Sequence, residues 1–403
     1  MKCVETPLRE IFTFSNGINF NKSAYSPGVK LIGVSNFGNR FSPDYEELQE
    51  INRKFVRIGD YLRNGDIIFV RSNGNKELVG RCMLIKDILQ PVTFSGFCIR
   101  ARIKNTREHD PTFFTYYFKS AAFRKAISGN AVGANIQNLS QERLSNYIAC
   151  VPDIVSQRKI ANILSTYDIL IENNQKQIKL LEKAAQRLYK EWFVDLRFPG
   201  HENTKITDGI PEGWHKTTLA EIAVIIKRGI SPKYAADGKY TVINQKCIRG
   251  SIMDITESRK QEKQYEPILN IQDCDTVICS TGTGTLGRVG QIYGDYPNTT
   301  FDSHVTLVRA KENPNFMYQA IKNQQRFLMG MGHGSTNQQE LYRNVIENVE
   351  VLLPDGSFLL QTEKLLSTFH DKIKTVYLQT SILTETRDRL LPKLMSGEIE
   401  HIS

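Results

Sequence analysis

The chain has 403 residues, 24% charged and 40% hydrophobic, enough for two or three globular cores and unlike a disordered or fibrous protein. Lys and Arg outnumber Asp and Glu by 52 to 43, giving a net charge of +9 and a pI near 9.0; this suits a polyanion binder and equally a basic soluble protein. The opening residues lack a basic segment followed by an apolar run, and nowhere do about 18 apolar residues run together, so neither a secretory signal nor a membrane span is expected and the chain reads as cytoplasmic.

In chain order, the first 150 residues or so are short β-like runs broken by glycines and polar loops, among them Asp66-Ile-Ile-Phe-Val70 and Phe97-Cys-Ile-Arg-Ala-Arg-Ile103. A helical stretch is predicted near 111–128. A long amphipathic helix follows, with Ile160, Leu164, Tyr167, Ile171, Asn174, Ile178, Leu181, Ala185, Leu188 and Trp192 alternating in steps of four and three, the seam of a coiled coil. Phe198-Pro-Gly200 stops it, and Thr207–Trp214 reads as a loop opening a second half. That half repeats the order: β-like runs at Thr276-Val-Ile-Cys279 and Val305-Thr-Leu-Val308, a helical stretch near 314–331, and a second seam at Thr362, Leu366, Phe369, Ile373, Val376, Thr380, Leu383, Arg387, Leu390 and Leu394.

The echo is residue by residue. Leu8, Glu10 and Ile11 match Leu219, Glu221 and Ile222; Asp66 matches Asp275; Gly80-Arg81 matches Gly287-Arg288; Pro111 and Phe113 match Pro314 and Phe316; Leu164-Ser-Thr-Tyr matches Leu366-Ser-Thr-Phe. The order is kept while the offset only shrinks, as small deletions after a duplication would leave it. The boundaries read as 1–155, a globular domain; 156–200, a central helix; 201–355, a second such domain; and 356–403, a C-terminal helix. The fold class is α/β (α+β) with an internal pseudo-twofold. If the helices pair side by side they must be antiparallel, and aligned ends place Asn174 opposite Thr380 and Tyr167 near Arg387, where the guanidinium could lie on the ring.

Catalytic signatures are missing. Gly282-Thr-Gly-Thr-Leu-Gly287 fits GxGxxG, but a dinucleotide site needs a helix next, and Arg288-Val-Gly-Gln-Ile-Tyr reads as strand. Asp110-Pro-Thr-Phe and Asn313-Pro-Asn-Phe are better helix starts than methyltransferase motifs. The Pro-Asp pairs are not followed by the pattern of a nuclease metal site. The histidines are dispersed; a lone His304 or His333 reads as a surface or hydrogen-bonded residue. The seven cysteines (Cys3, Cys82, Cys98, Cys150, Cys247, Cys274, Cys279) form no CxxC and read as reduced thiols, with no disulfide frame and no metal site.

Several strings resemble the specificity subunits of type I restriction–modification systems: Leu390-Leu-Pro-Lys-Leu-Met-Ser-Gly-Glu-Ile399, Lys190-Glu-Trp-Phe-Val-Asp-Leu-Arg-Phe198, Pro211-Glu-Gly-Trp-His-Lys-Thr-Thr-Leu-Ala-Glu-Ile222 and Gly282–Gly290. The resemblance spans essentially the whole chain, while Gly133–Asn138 only loosely matches that family's glycine-rich string. It implies two target-recognition domains reading a split, asymmetric site on double-stranded DNA. It also implies two helices that carry two methyltransferase subunits, motor-nuclease restriction subunits that join them, and S-adenosylmethionine, ATP and Mg held by those partners. This chain would then be a non-catalytic adaptor. The alternatives are a DNA-modifying enzyme with unrecognised motifs and a coiled-coil scaffold without DNA.

Base readout needs Arg for guanine, Asn or Gln for adenine, and Ser or Thr more loosely. The candidates are Arg71, Asn73, Asn75, Lys76, Arg81, Asn135 and Gln137 in the first half. In the second they are Thr281, Thr283, Arg288, Ser335, Thr336, Asn337 and Gln338, with Lys227 and Arg228 holding phosphates.

Overall fold

A computed structural model describes residues 2–399 except 39, 76, 129–137, 249, 251, 283 and 334–338. The chain divides into two compact units, one of residues 1–172 with 381–403 and the other of residues 173–380. Each cut falls inside a long helix, so each unit owns a globular part and half of each long helix.

In the first unit, Phe12–Asn16, Cys98–Ile103, Ile67–Val70 and Cys82–Leu84 form, in that order, a four-stranded antiparallel sheet. A three-stranded sheet has the order Gln49–Ile51, Tyr25–Ile32, Val92–Phe94, its last pair parallel. Cys3–Pro7 pairs with Ile148–Pro152. The second unit repeats every step: Ala223–Arg228, Val305–Ala310, Thr276–Cys279, Val289–Gln291; then Arg259–Gln261, Tyr240–Ile243, Thr299–Phe301; then His215–Thr218 with Glu350–Leu353. The central strands are buried throughout, Ile67–Val70 and Thr276–Cys279 alike, which explains why they read as continuous apolar runs rather than alternating ones.

Polar features recur with the fold. Asp66, 1% exposed, accepts Nε and Nη2 of Arg102 at 2.6 and 2.7 Å; Asp275, 2% exposed, accepts both from Arg309 at 2.7 Å. Helices begin where Pro follows Asp or Asn. Asp110 caps Pro111–Lys119 by accepting from the Phe113 amide at 2.8 Å. Asn313 offers no such cap to Pro314–Asn323; Glu363 of the second long helix does it instead, accepting from the Asn315 and Phe316 amides at 3.2 and 2.8 Å.

The long helices, Ile154–Tyr189 and Gly356–Ser396, start on the Pro-Asp pairs. Asp153 accepts from the Val155 and Ser156 amides at 2.9 and 3.0 Å, and Asp355 from Ser357 and Phe358 at 3.0 Å each. The Ser156 hydroxyl holds the Asp153 carboxyl below its ordinary range, and the Phe358 amide does so for Asp355. A depressed folded-state pKa means stability present above the unfolded value and lost as pH falls through the folded one. Asp153→Ala is therefore expected to cost about 1 kcal/mol at neutral pH and progressively less in acid, read by urea unfolding; an equal cost at both pH values would contradict the cap.

Within each unit the two helix halves run antiparallel. In the first, Ile160 and Leu164 share a core with Leu390 and Leu394; in the second, Ile178 and Leu181 cluster with Ile373 and Val376. Ile171, Leu188, Leu366 and Phe369 also lie on packed faces, and Leu383 is half-buried. Asn174 is half-buried, and the Thr380 hydroxyl donates to the Val376 carbonyl at 2.7 Å. The seam departs from the expected alternation at one matched place. Asp168 and His370 are buried, 6% and 3% exposed, while the neighbouring Tyr167 and Phe369 are only half-buried. A straight 3.6-residue period turns the step after Leu164 and Leu366 to four. Arg387 accordingly donates to Asp168 at 2.5 Å, and also to Asp388, in place of the expected stacking on Tyr167.

One further expectation is corrected. Cys3 and Cys150 form a disulfide across the Cys3–Pro7 and Ile148–Pro152 strands, with Cα atoms 5.4 Å apart; the other five cysteines are free thiols. Strand pairing brings together two residues far apart in sequence, which spacing alone does not reveal.

Candidate nucleic-acid interface

Each unit places a glycine-rich polar loop between the last two strands of its four-stranded sheet. In the second, Ser280–Arg288 joins Thr276–Cys279 to the antiparallel Val289–Gln291. Strand follows the GxGxxG string, as expected, so no helix N-terminus meets a pyrophosphate there. Gly282, Gly284 and Gly287 take φ of +98°, +77° and +73°. At Gly287 a Cβ would fall 2.5 Å from the Met329 amide nitrogen; at the matched Gly80 it would fall 2.6 Å from Ile127 Cδ1. These glycines let each loop lie directly on a helix, Gln325–Gly330 or Ala121–Ser128.

Both loops meet the segment before the next short helix. Ser72 bridges Asn138, and the Leu139 amide donates to the Arg71 carbonyl at 2.8 Å. In the second unit Thr281 bridges Glu340, and the Leu341 amide donates to the Ser280 carbonyl at 2.8 Å. The glycine-rich loop thus meets Asn138–Leu139 in the first unit and Glu340–Leu341 in the second. Lys76, Asn135, Gln137, Thr283, Ser335, Thr336, Asn337 and Gln338 lie outside the described residues.

The described candidates differ in what holds them. Asn73 and Asn75 are turn formers: their Oδ1 atoms accept from the Asn75 and Glu77 amides at 2.8 and 3.0 Å. Arg71 reaches the Gly96 carbonyl at 3.2 Å and Arg81 the Gly38 carbonyl at 3.3 Å. Lys227 is paired with Glu266 at 2.6 Å; Arg228 is paired with Glu340 and donates to the Leu341 carbonyl at 2.7 Å. Arg228 thereby ties its sheet to the second loop. Arg288 is half-buried at the end of the glycine loop.

Three residues support the loop, and of these only His304 is singled out by its sequence. His304 Nδ1 is hydrogen-bonded to the Thr281 hydroxyl at 2.6 Å, and Gln245 Oε1 accepts from the Thr285 hydroxyl at 3.1 Å. Glu340 joins Arg228 to the loop. His304 was legible as a hydrogen-bonded residue; its partner, far away in sequence, was not. The first unit adds a cleft of about 620 Å³ beside Gly96, lined by Asn19, Asn21, Asn36 and Gln49. Among the described residues, one group of metal-ligating side chains comes together, Asp273, Cys274 and His370, at the turn preceding Thr276–Cys279. No helix of the described residues is long and apolar enough to cross a membrane.

Residues 2–183 match the family described as type I restriction modification DNA specificity domain. The chain is 24% identical to the type I restriction enzyme MjaIX specificity subunit of Methanocaldococcus jannaschii, over 71% of this chain and 68% of that protein. It is 22% identical to the HindI specificity subunit of Haemophilus influenzae, over 94% and 96%. A crystal structure of a type I restriction–modification S subunit from M. genitalium shares the fold, with a TM-score of 0.58 and 19% identity over 98% of this chain and 96% of that one.

Proposed function

The chain belongs to the specificity subunits of type I restriction–modification systems, and from that premise we propose that its two halves each read one part of a split, asymmetric double-stranded DNA site. The observation that carries this is the matched placement of the two loop pairs. The same backbone contacts join Arg71–Ser72 to Asn138–Leu139 and Ser280–Thr281 to Glu340–Leu341, with different side chains at corresponding positions. A shared scaffold with divergent loops suits two related domains reading different bases.

In this reading Arg71, Arg81, Thr281 and Arg288, with the loop residues around them, approach base edges, and the Asn-rich cleft of the first unit supplies amides for adenine. Lys227 and Arg228 act in a positioning role through their ion pairs. The chain catalyses nothing; it delivers methyltransferase and motor-nuclease subunits that carry S-adenosylmethionine, ATP and Mg. Leu180 and Leu360, 67% and 65% exposed on the long helices, are apolar side chains suited to a protein partner.

Exchanging residues 1–150 for the corresponding segment of a relative with another target is the test. Methylome sequencing should show one half of the methylated site replaced and the other retained. Both halves changing together would refute modular reading. Methyl transfer or cleavage by the purified chain, free of partner proteins, would refute the adaptor role.

A further inference from the structure

His370 occupies the helix position matched to Asp168, and its surroundings have no counterpart in the first unit. His370 Nε2 lies 3.1 Å from Asp273 Oδ1 and 3.4 Å from Cys274 Sγ. It carries at most one hydrogen, which it can at best share between the two. Tyr293 stacks on the ring, with centroids 4.7 Å apart, and fixes its plane. Lys374 Nζ donates to Asp273 Oδ2 at 2.7 Å, and the Gly294 amide donates to Oδ1 at 2.6 Å, so the carboxylate is oriented from two sides. Cys274 is held at φ +66°, where a side chain is disfavoured, while the first half has Gly65, at φ +91°, in the corresponding place. Asn64, Gly65 and Asp168 stand where Asp273, Cys274 and His370 do, so the duplicated fold does not require this trio.

We propose that Asp273, Cys274 and His370 form a binding site for a zinc-class divalent ion, fastening the turn before Thr276–Cys279 to the second long helix. The spacing supports it. With bonds of about 2.3 Å to sulfur and about 2.0–2.1 Å to nitrogen or oxygen, a tetrahedral ion places S and N about 3.5 Å apart and N and O about 3.3 Å apart. The observed separations are 3.4 and 3.1 Å, and all three ligand atoms lie within 4.8 Å of one another. A thiolate, an imidazole nitrogen and a carboxylate oxygen suit a borderline-soft ion, and the fourth position is left for water. Lys374 then serves as the outer partner that orients the ligating carboxylate. Binding converts the Cys274 thiol to thiolate and releases its proton to solvent.

The full-length chain, stripped by a chelator and kept reduced, should take up one equivalent of Co(II). A thiolate-to-cobalt charge-transfer band should appear in the near ultraviolet together with intense tetrahedral d–d bands, both displaced by Zn(II). Cys274→Gly suits the left-handed backbone and should fold, as circular dichroism would verify, while losing the charge-transfer band. His370→Gln should weaken uptake at least tenfold. No thiolate band in the unsubstituted chain would overturn the proposal, and so would a band that survives in Cys274→Gly, since other thiols would then carry it.

Discussion

Arg309→Ala is expected to cost about 3–5 kcal/mol at neutral pH, the range for removing one partner of a buried ion pair. The carboxylate left behind is the reason. Asp275 has 2% of its side chain exposed and receives two guanidinium hydrogen bonds from Arg309, which also satisfies the Ile268 and Asn270 carbonyls at 3.1 and 2.7 Å. Even with that partner, burial lifts the Asp275 carboxyl above its ordinary range more than Arg309 lowers it. A raised folded-state pKa favours the folded state below the unfolded value, and that advantage is lost as pH rises through the folded one. Without the arginine the pKa rises further, so the deficit should be largest near pH 7 and smaller near pH 5, where Asp275 can fold protonated. Arg102→Ala in the matched pair should fall at the lower end, because Arg102 is 25% exposed against 14% for Arg309. Urea unfolding at the two pH values decides. A loss under about 1 kcal/mol for Arg309→Ala would mean that the pair's desolvation cancels nearly all of its attraction.

These pairs also mark how far the chain could be read from its letters. The duplication, the strand at Ile67–Val70, the helix starts at Pro111 and Pro314 and the two long helices are all local patterns, and local patterns survive in a single sequence. Asp66 and Asp275 were visible as matched letters, but not as partners of Arg102 and Arg309, because that pairing exists only after the sheet is assembled. The Cys3–Cys150 bond and the Glu363 cap are hidden for the same reason. Of the candidate interface, the matched places of the polar loops in the two halves were legible, but the contacts of Ser72 with Asn138 and of Thr281 with Glu340 were not, because they form only once the sheet is assembled. The supports at Gln245, His304 and Glu340 were not, since each meets its loop across a strand or a turn.

The heptad pattern misled at one matched point, and that point carries the second large effect. An ideal alternation places Tyr167 in the seam, yet Asp168 is the buried residue and Arg387 pairs with it. The Tyr116 hydroxyl donates to the same carboxylate; burial and that charge push its phenol far up, so it remains a donor. Three polar groups from a core helix and both long helices therefore satisfy one another inside the first unit. Asp168→Ala leaves Arg387 and Tyr116 without this acceptor, and Arg387→Ala leaves a carboxylate 8% exposed without its cation. Each single change, to alanine or to leucine, should cost about 3–5 kcal/mol, whereas Asp168→Leu with Arg387→Leu should return to within about 1–2 kcal/mol of the parent, because a well-packed apolar pair needs no desolvation offset and only the Tyr116 hydroxyl is left without its acceptor. That difference is what a double-mutant cycle measures. A coupling energy near zero would show that the pair sits in a solvated groove and fixes nothing. A large coupling in a double variant that stays stable yet loses the proposed assembly with methyltransferase subunits would show that the buried charges hold the helix register rather than supply stability.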